Sequence, residues 1–595
     1  MTGDSEALGR LERLRAELAR AGLSGFIVPR ADEHLGEYVP PSGERLAWLT
    51  GFTGSAGLAA VLPSRAAVFT DGRYVLQLAA ETDGAAWERC HLVETPPWAW
   101  LKEHAPPGAR IGYDPWLLSE ETLSRYQKAG LTMAAVEANP VDAIWADRPA
   151  PPAGPALPHP LEFAGESSTA KREAIAAILR ESRQEAAVIT DPASLAWLLN
   201  IRGTDLPFTP IALGFGLITA DTAVQLFMEP EKLSEETRLW LGNAVQARGR
   251  ESLLSALRGL ARRIVRVDEA GTPAWFAHTL RDAGAEIVHG ADPCHLPKAR
   301  KNAAEQQGAR AAHQRDAVAL CLFLAELTEA VARGDWTEAT AARRLDQLRA
   351  RSPLYRGESF PAISGAGEHG AVIHYRVSAA SDRPIRPNEV YLIDSGGQYP
   401  DGTTDVTRTV WTGPADPPDA VRERFTRVLR GHIAIATLTF PSGVAGPHLD
   451  AFARRALWDA GLDYDHGTGH GVGSYLSVHE GPVSLSRAAK PVPIAEGMIL
   501  SNEPGFYEPG AYGIRLENLL LVQAAETGRT AKPFLRFETL TLAPFDRRLI
   551  ARDLLSESET AWLDAYHARV LAALGPLLDG EARAWLTGAC AKLGP

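Results

Sequence analysis

Acidic residues recur in pairs beside turn-forming glycines in the second half of the chain. Asp394 ends one apolar run and Asp405 begins the next, with Ser395–Gly397 and Asp401–Gly402 between them. Because the intervening residues favour turns, a hairpin would bring the two carboxylates side by side. Two carboxylates held together need a proton or a metal ion between them. Taken singly, an aspartate beside a glycine is more commonly a turn-capping residue.

A second pair of acids belongs to another predicted hairpin. Glu503 directly follows an apolar run, and Glu517 ends the run 514–517. In that run an alternation of period two places Arg515 and Glu517 on one face of a strand and the apolar residues on the other. Such a polar face is either functional or exposed to solvent. Taken alone, Glu517 would more often be a surface glutamate paired with Arg515.

Three histidines lie within residues 466–479, between the two predicted hairpins. His466 and His470 belong to the run 466–473, which is too rich in glycine for a helix and lets backbone approach a site closely. No Lys-Ser/Thr pair follows this run, and no GxGxxG register precedes a helix, so it is not a phosphate-binding loop. The spacing of four residues places two histidines on one face only in a helix, so it does not by itself make both of them ligands. His479 adds a third imidazole.

Four carboxylates and one histidine form an oxygen-rich donor set. This set suits a pair of Mn²⁺, Co²⁺ or Zn²⁺ ions better than a closed structural zinc site, in which cysteines would be expected. Two metal ions that share carboxylates can activate a water molecule and stabilise both oxygens of a hydrolytic transition state. The residues therefore predict metal-assisted hydrolysis.

The elements around these residues predict an α+β segment built from hairpins rather than from parallel crossovers. The chain after about Ala543 ends in another helix with an apolar stripe, which normally docks on the body of the protein or on another subunit. Helical patterns cover 302–333, 337–351, 418–437 and 447–461, and strand-like runs cover 371–377, 390–393, 406–411, 498–500 and 513–517.

Two proline-rich breaks divide the chain. Five prolines interrupt residues 150–160, and a second break lies near 291–297. The first two segments share the sequence Leu-Ala-Trp-Leu at 46–49 and 195–198, each time after a short apolar strand, so a duplicated α/β domain is indicated. We predict domains at 1–155, 156–297 and 298–543, with a C-terminal extension at 544–595 that packs on the third domain.

Composition limits the partners and the compartment. The 595 residues include 61 basic and 73 acidic side chains, and the net charge of −12 argues against nucleic acid or an anionic membrane as the main partner. The start reads as an amphipathic helix without the apolar stretch of a signal peptide, and no run of about 18 apolar residues predicts a membrane span. Four widely spaced cysteines fit buried thiols in a reducing cytosol. We therefore expect a cytoplasmic protein.

Four segments together resemble the aminopeptidase P (Xaa-Pro aminopeptidase) branch of the pita-bread metallopeptidases, which also include prolidase, methionine aminopeptidase and creatinase. They are AVIHYR (371–376), IDSGGQYPDGTTDVTRT (393–409), HGTGHGVGSYLSVHEGP (466–482) and LSNEPGFYEPGAYGIRLEN (500–518). TGFTGSAG (50–57) and TDGRY (70–74) resemble the first domain of the long, three-domain form, and residues 197–210 resemble its second. The resemblance implies two creatinase-N-like α/β domains, a pita-bread catalytic domain and a long-form C-terminal extension.

The resemblance also implies a set of metal ligands. Asp405, His470, Glu503 and Glu517 would hold one metal, and Asp394, Asp405 and Glu517 the other, so that Asp405 and Glu517 bridge the two. It implies two divalent ions per subunit, with Mn²⁺ expected and Co²⁺ or Zn²⁺ as alternatives.

Further roles follow from the same resemblance. Glu503 would move the proton of the attacking water, His374 and His479 would contact the substrate and stabilise the tetrahedral intermediate, and His466 would border the primed side. Arg73, from this subunit or a neighbouring one, would help to close the site.

Simpler interpretations of His374 and Arg73 stay open. His374 also fits a core histidine on a buried strand, and Arg73 also fits a residue that braces the turn after Asp71 and Gly72. Phe360 is implied to line the pocket for the N-terminal side chain of the substrate.

The leading hypothesis is a metal-dependent aminopeptidase that releases the first residue from peptides with proline in second position. Such a bond is a tertiary amide, so its cleavage needs an activated water, a polarised carbonyl and a proton donor for the proline nitrogen. We expect a homodimer with no nucleic-acid or membrane partner. The alternatives are a prolidase confined to dipeptides and a non-catalytic scaffold or binding protein on the same fold.

Overall fold

A computed structural model describes residues 2–528 and 532–594, which form two compact units. The N-terminal unit contains the chain up to Pro160 and Glu166–His295, and the C-terminal unit contains Leu161–Gly165 and the chain from Leu296 onward. Within the described residues, no helix is both long and apolar enough to cross a membrane. All four cysteines are free thiols; Cys90 is half-buried and the other three are buried.

The first half of the N-terminal unit is a six-stranded sheet with helices around it. The amphipathic start of the chain forms a helix as predicted, and Leu11, Leu14 and Leu18 are buried in the core. Its elements are α1 (Thr2–Arg20), β1 (Gly25–Pro29), α2 (Arg45–Thr50), β2 (Leu58–Val61), β3 (Ala66–Thr70), α3 (Val75–Glu81), β4 (Glu88–His91), α4 (Pro97–His104), β5 (Arg110–Tyr113), α5 (Glu120–Lys128), β6 (Thr132–Ala135) and α6 (Pro140–Ile144).

The second half of this unit repeats the pattern. A short helix of the C-terminal unit, α7, interrupts it, and α13 runs from its last residue into the C-terminal unit. The elements are β7 (Leu157–Pro158), α7 (Leu161–Ala164), α8 (Ser168–Glu181), β8 (Ala186–Ile189), α9 (Pro192–Leu199), β9 (Ile201–Arg202), β10 (Phe215–Thr219), β11 (Val224–Phe227), α10 (Glu235–Leu241), β12 (Val245–Arg248), α11 (Leu253–Arg258), β13 (Ile264–Val267), α12 (Ala274–Asp282), β14 (Glu286–His289) and α13 (His295–Ala299).

The two sheets have the same topology. Their strand orders are β4-β3-β2-β1-β5-β6 and β12-β11-β10-β8-β13-β14. In the first sheet β1 pairs antiparallel with β2 and parallel with β5. In the second sheet β8 pairs antiparallel with β10 and parallel with β13. The repeated Leu-Ala-Trp-Leu lies in α2 and α9, which occupy corresponding positions. The predicted duplication is confirmed.

The C-terminal unit mixes long helices with antiparallel sheets, which confirms the α+β class. The four predicted helices occur within a few residues of their predicted ends. The elements are α14 (Ala303–Arg333), α15 (Glu338–Arg349), β15 (Ile363–Ala366), β16 (Val390–Ser395), β17 (Gln398–Tyr399), β18 (Gly402–Thr403), β19 (Val406–Trp411), α16 (Asp419–Ala436), β20 (Thr439–Pro441), α17 (Gly446–Trp458), β21 (Gly469–Gly471), β22 (Glu480–Leu485), β23 (Ile499–Asn502), β24 (Gly505–Glu508), β25 (Tyr512–Arg515), β26 (Asn518–Ala525), β27 (Phe534–Thr539), α18 (Glu557–Leu574) and α19 (Gly580–Ala589).

Two sheets of this unit carry the acidic residues. One has the order β15-β16-β19, and the other has the order β20-β27-β26-β23-β21-β22. The strands β24 and β25 form a separate hairpin in the connection between β23 and β26. All pairings in both sheets are antiparallel, as predicted for a domain built from hairpins.

The predicted strand at 371–377 is wrong. Residues 367–371 form a 3₁₀ turn and 372–377 are irregular, and the strand in this region is β15. The turn packs directly on β25, since a Cβ on Gly513 would lie 1.7 Å from the carbonyl oxygen of Gly370. Buried Glu338 accepts hydrogen bonds from the ring of His369 and the hydroxyl of Tyr375. Ala371 and Tyr375 are buried and the other apolar side chains of this run are partly exposed, so they are covered by packing rather than by strand pairing.

Helix α18 of the C-terminal extension buries its apolar stripe within its own unit. Leu563, Tyr566, Val570 and Leu574 belong to the same hydrophobic cluster as Phe425 and other residues of α16. The stripe is therefore covered by residues of this chain.

A buried arginine joins β19 to the start of this extension. Arg408 is fully buried, and its guanidinium donates to the carbonyl oxygens of Glu517 at 2.6 Å, Ala543 at 2.7 Å and Pro544 at 3.1 Å. It also donates to the hydroxyl of Tyr566 at 3.1 Å. One side chain thus satisfies several buried acceptors that have no access to water.

We expect Arg408→Ala to destabilise the C-terminal unit by about 3 kcal/mol or more, because several buried acceptors would lose their donor. Thermal and urea unfolding followed by circular dichroism would measure the change. Arg333→Ala is the matched control, because its side chain is 60% exposed and should change stability by no more than about 0.5 kcal/mol. If Arg408→Ala lowered the free energy of unfolding by no more than the control does, the stabilising role of the Arg408 hydrogen bonds would be contradicted.

Candidate metal centre

The first pair of acids lies where two neighbouring strands meet. Asp394 is the last but one residue of β16 and pairs in register with Thr407, while Asp405 directly precedes β19. The predicted hairpin therefore brings these two carboxylates to the same end of the sheet. Both side chains are buried.

The second pair of acids lies at the end of the ladder between β23 and β26. Glu503 directly follows β23, Glu517 directly precedes β26, and their neighbours Asn502 and Asn518 are paired in register. The strand β25 ends at Arg515, so the prediction that Glu517 lies on this strand is wrong. Glu517 and Arg515 are 1% and 2% exposed, which excludes the alternative of a surface pair.

Two hydrogen bonds between Thr407 and Glu517 join the two sheets. The amide of Glu517 donates to the carbonyl oxygen of Thr407 at 3.2 Å, and the Thr407 hydroxyl donates to Glu517 Oε2 at 2.8 Å. Because Thr407 is the register partner of Asp394, this contact brings the two acidic pairs into one site.

His470 reaches the same site from the neighbouring strand β21. Its Nε2 atom lies 3.6 Å from Asp405 Oδ2 and 3.4 Å from Glu503 Oε1. The hydroxyl of Ser501 accepts from the His470 amide at 2.9 Å and donates to Glu503 Oε1 at 3.1 Å. A Cβ on Gly469 would lie 2.0 Å from the Ser501 carbonyl oxygen, so glycine is needed for this close approach.

The arrangement fits a centre of divalent cations. Ligand atoms of Asp405, His470 and Glu517 all lie within 4.8 Å of one another. The atoms Asp394 Oδ1 and Asp405 Oδ1 are buried and have no hydrogen-bond partner among the described residues. Buried carboxylate oxygens without donors are costly, and cations would supply the missing partners. Carboxylates with one imidazole are donors that Mn²⁺, Co²⁺ and Zn²⁺ accept.

The electrostatics of the site also favour the binding of positive charge. Burial and the carboxylates of Glu517 and Asp394 raise the pKa of Asp405 well above its usual range. Burial and the charges of Glu503 and Asp394 likewise raise the pKa of Glu517. Burial raises the pKa of Glu503 to about 7, against the lowering effect of Arg515. The carboxylates repel one another in a medium that screens them poorly.

Arg515 and Tyr507 belong to the site but had no predicted role in it. Arg515 donates to Asp394 Oδ2 at 2.7 Å and to the Tyr507 hydroxyl at 2.8 Å, and that hydroxyl lies 2.8 Å from His466 Nε2. A hydrogen-bonded chain thus runs from Asp394 to His466. The alternation in residues 514–517 was the available signal, because it already placed Arg515 on the functional face.

His479 and His374 come from different parts of the unit. The ring of His479 meets that of His470 edge to face, with 4.3 Å between centroids. The next residue, buried Glu480, is paired with Lys298 and Lys301, which fixes the chain at this point. His374 lies in the irregular segment after the 3₁₀ turn, so the alternative of a core histidine on a buried strand is wrong.

The roles that we predicted for Arg73 and Phe360 stay predictions. Arg73, in the N-terminal unit, forms a two-pronged ion pair with Asp71 at 2.7 Å and 2.9 Å. This geometry agrees with an arginine that braces its own turn. Phe360 is 9% exposed in the C-terminal unit, and its place in a substrate pocket stays a prediction.

Family models match the chain along most of its length. Residues 307–524 match the model of metallopeptidase family M24, and residues 533–593 match the C-terminal region of peptidase M24. Residues 10–147 and 147–305 each match a creatinase/prolidase N-terminal domain. The two latter matches correspond to the two sheets with shared topology.

Named relatives cover nearly the whole chain. A probable Xaa-Pro aminopeptidase P of Aspergillus niger is 39% identical over 97% of this chain and 97% of its own length. The crystal structure of an X-prolyl aminopeptidase from Caenorhabditis elegans, a cytosolic enzyme with a di-nuclear active site, is 34% identical, covers 99% of this chain and 100% of that chain, and has a TM-score of 0.93. The dipeptidase PepE of Mycobacterium ulcerans is 26% identical, covers 63% of this chain and 95% of that chain, and has a TM-score of 0.50.

We expect removal of divalent metals to lower the melting temperature of the protein by several degrees. Saturating metal at about one hundred times its Kd would stabilise the fold by about 2.7 kcal/mol. Calorimetry of the protein stripped with a chelator and then reloaded with Mn²⁺ would measure the shift.

Asp405→Asn should remove most of this metal-dependent shift. The matched control is Asp419→Asn, since the Asp419 side chain is fully exposed at the start of α16. Equal melting temperatures for the stripped and reloaded wild-type protein would contradict a metal centre among these carboxylates.

Proposed function

Because the chain belongs to metallopeptidase family M24, we propose that it is a metal-dependent aminopeptidase that hydrolyses the N-terminal Xaa-Pro peptide bond. The observation that carries this proposal is the cluster of buried Asp394, Asp405 and Glu517 with partly buried His470 and Glu503, in a chain so similar to Xaa-Pro aminopeptidases. The unpartnered oxygens of two of these carboxylates support a metal-dependent reaction over a silent scaffold.

The length of the match favours an aminopeptidase over a prolidase. The Xaa-Pro aminopeptidase relatives align along nearly the whole chain, including both N-terminal sheets. The dipeptidase aligns with less than two thirds of it. Substrates of the proposed enzyme are peptides with proline in second position.

The side chains of the site suit the cleavage of a tertiary amide. When bound, the two metal ions supply an activated water molecule and polarise the scissile carbonyl. Glu503, oriented by Ser501, takes the proton of that water and returns it to the departing proline nitrogen. His479, beside His470, and His374 donate to the carbonyl oxygen as charge develops on it. The surplus of carboxylates offers an ionic partner to the free α-amino group of the substrate.

The remaining parts of the proposal concern the metal, the compartment and the assembly. Mn²⁺ is our first choice of native metal because the donors are mainly carboxylate oxygens, which suit hard cations. A cytoplasmic location is supported by the cytosolic relative. The homodimer rests on the resemblance to the family, since the apolar stripe of α18 is already buried within its own unit. In this proposal His466 borders the primed side, and Arg73 of this subunit or of a neighbouring one helps to close the site.

We expect the purified protein to release arginine from Arg-Pro-Pro and to leave an Ala-Ala-Ala tripeptide uncleaved, because its site is adapted to a proline nitrogen. Mass spectrometry of the products, with Mn²⁺, Co²⁺ or Zn²⁺ added in turn, would test substrate and metal together. Cleavage of Gly-Pro without cleavage of the tripeptide would identify a prolidase instead. No cleavage with any of the metals would favour the scaffold.

We expect Glu503→Gln to lower kcat on Arg-Pro-Pro by about 10²- to 10⁴-fold, since the amide cannot carry the proton. Glu508→Gln is the matched control, because Glu508 is exposed at the end of β24 and should retain full activity. Steady-state kinetics should accompany metal analysis of each variant. A Glu503→Gln variant within threefold of the wild-type kcat would contradict the assigned role.

A further inference from the structure

A second cluster of ligand-type side chains lies in the N-terminal unit. Asp191, Asp292 and His295 each offer an atom to a group in which all three atoms lie within 4.8 Å of one another. His295 Nε2 is 3.4 Å from Asp191 Oδ2 and 3.8 Å from Asp292 Oδ2. None of the three residues belongs to the metal centre described above.

The backbone around the cluster fixes both carboxylates. Asp191 caps α9, where its side chain accepts from the Ala193 amide at 2.9 Å and from the Ser194 hydroxyl at 3.0 Å. Asp292 follows β14, and its Oδ1 atom accepts from the Cys294 amide at 2.7 Å. The cluster thus joins the chain after β8 to the chain after β14, and its geometry is set before any ligand arrives.

One carboxylate oxygen in the cluster lacks a donor. The Asp292 side chain is 6% exposed, and its Oδ2 atom has no hydrogen-bond partner within the described part of the chain. The nearest imidazole nitrogen, His295 Nε2, is too far away for a hydrogen bond. A buried carboxylate oxygen without a donor is costly unless a cation or a donor is added. Asp191 and His295 are partly exposed, so a cation can enter from solvent.

We propose that Asp191, Asp292 and His295 form a binding site for a divalent transition-metal ion, with Zn²⁺ as the preferred ion. Two carboxylates and one neutral imidazole balance a charge of +2 and belong to the usual donors of zinc. Donors in a tetrahedral zinc site are separated by about 3.3 Å, close to the separations of the His295 nitrogen from both carboxylates. A fourth position stays open for water.

The bound ion would act as a cross-link within the N-terminal unit. It would tie the beginning of α9 to the segment that leaves the second sheet, two points far apart in sequence. Metal binding to a site that exists only in the folded chain stabilises the fold. The role is therefore structural, and peptide hydrolysis does not depend on it.

The test counts zinc in the full-length protein. The double variant Asp405→Asn, His470→Ala disables the catalytic centre, and after dialysis against Zn²⁺ and desalting we expect it to keep one equivalent by mass spectrometric metal analysis. Adding His295→Ala or Asp292→Asn should remove that equivalent. Adding His289→Ala should not, because this exposed histidine on β14 lies outside the cluster.

A second measurement uses the same double variant without any change in the cluster. Loaded with Co²⁺ in place of Zn²⁺, it should show the visible absorption of a tetrahedral site, and competing Zn²⁺ should bleach it. A double variant that keeps no zinc and shows no cobalt spectrum would overturn the proposal and leave the three residues as an ion pair of protonated His295. Zinc kept equally by the His295→Ala and Asp292→Asn variants would overturn it as well.

Discussion

Four carboxylates share a volume from which water is largely excluded, and the C-terminal unit is built around that constraint. Asp405 and Glu517 are 4% and 1% exposed, so their repulsion is poorly screened. The guanidinium of Arg515 offsets part of the charge, but its ion pair is with Asp394. Bound cations or protons would compensate the remaining negative charge. We therefore expect cation binding to stabilise the fold of this unit.

The β-sheets hold these carboxylates in place. The proposed carboxylate ligands lie near the end of a strand or directly beside one, and His470 lies within the short strand β21, so ladder pairing fixes the backbone at these positions. Ligands on flexible loops would lose conformational entropy on binding, at a cost of about 1–2 kcal/mol per ordered residue. The bonds between Thr407 and Glu517 then lock the two sheets together at the site.

Local patterns predicted those features of the site that depend on short stretches of sequence. The pairs Asp394/Asp405 and Glu503/Glu517 were found because turn residues and apolar runs flank them, and the long helices were found from their periodicity. The segment 371–377 was predicted wrongly, because its apolar residues are held by packing and not by strand pairing: Tyr375 clusters with Leu392 of β16 and donates to Glu338, and neither partner is near it in sequence. The partner of Arg515 was missed for the same reason: Asp394 lies on another sheet, and no local pattern encodes that contact.

The C-terminal extension helps to position the proposed metal ligands, although it contributes none of them. Arg408 donates both to the carbonyl oxygen of Glu517 and to that of Pro544, so one guanidinium connects a candidate bridging ligand to the start of the extension. The same guanidinium contacts Tyr566 on α18, whose apolar stripe is buried against α16. A displacement of α18 would therefore be transmitted through Arg408 to the backbone of Glu517. The extension thus supports the backbone of the proposed metal centre, and this gives its apolar stripe a structural role without a partner subunit.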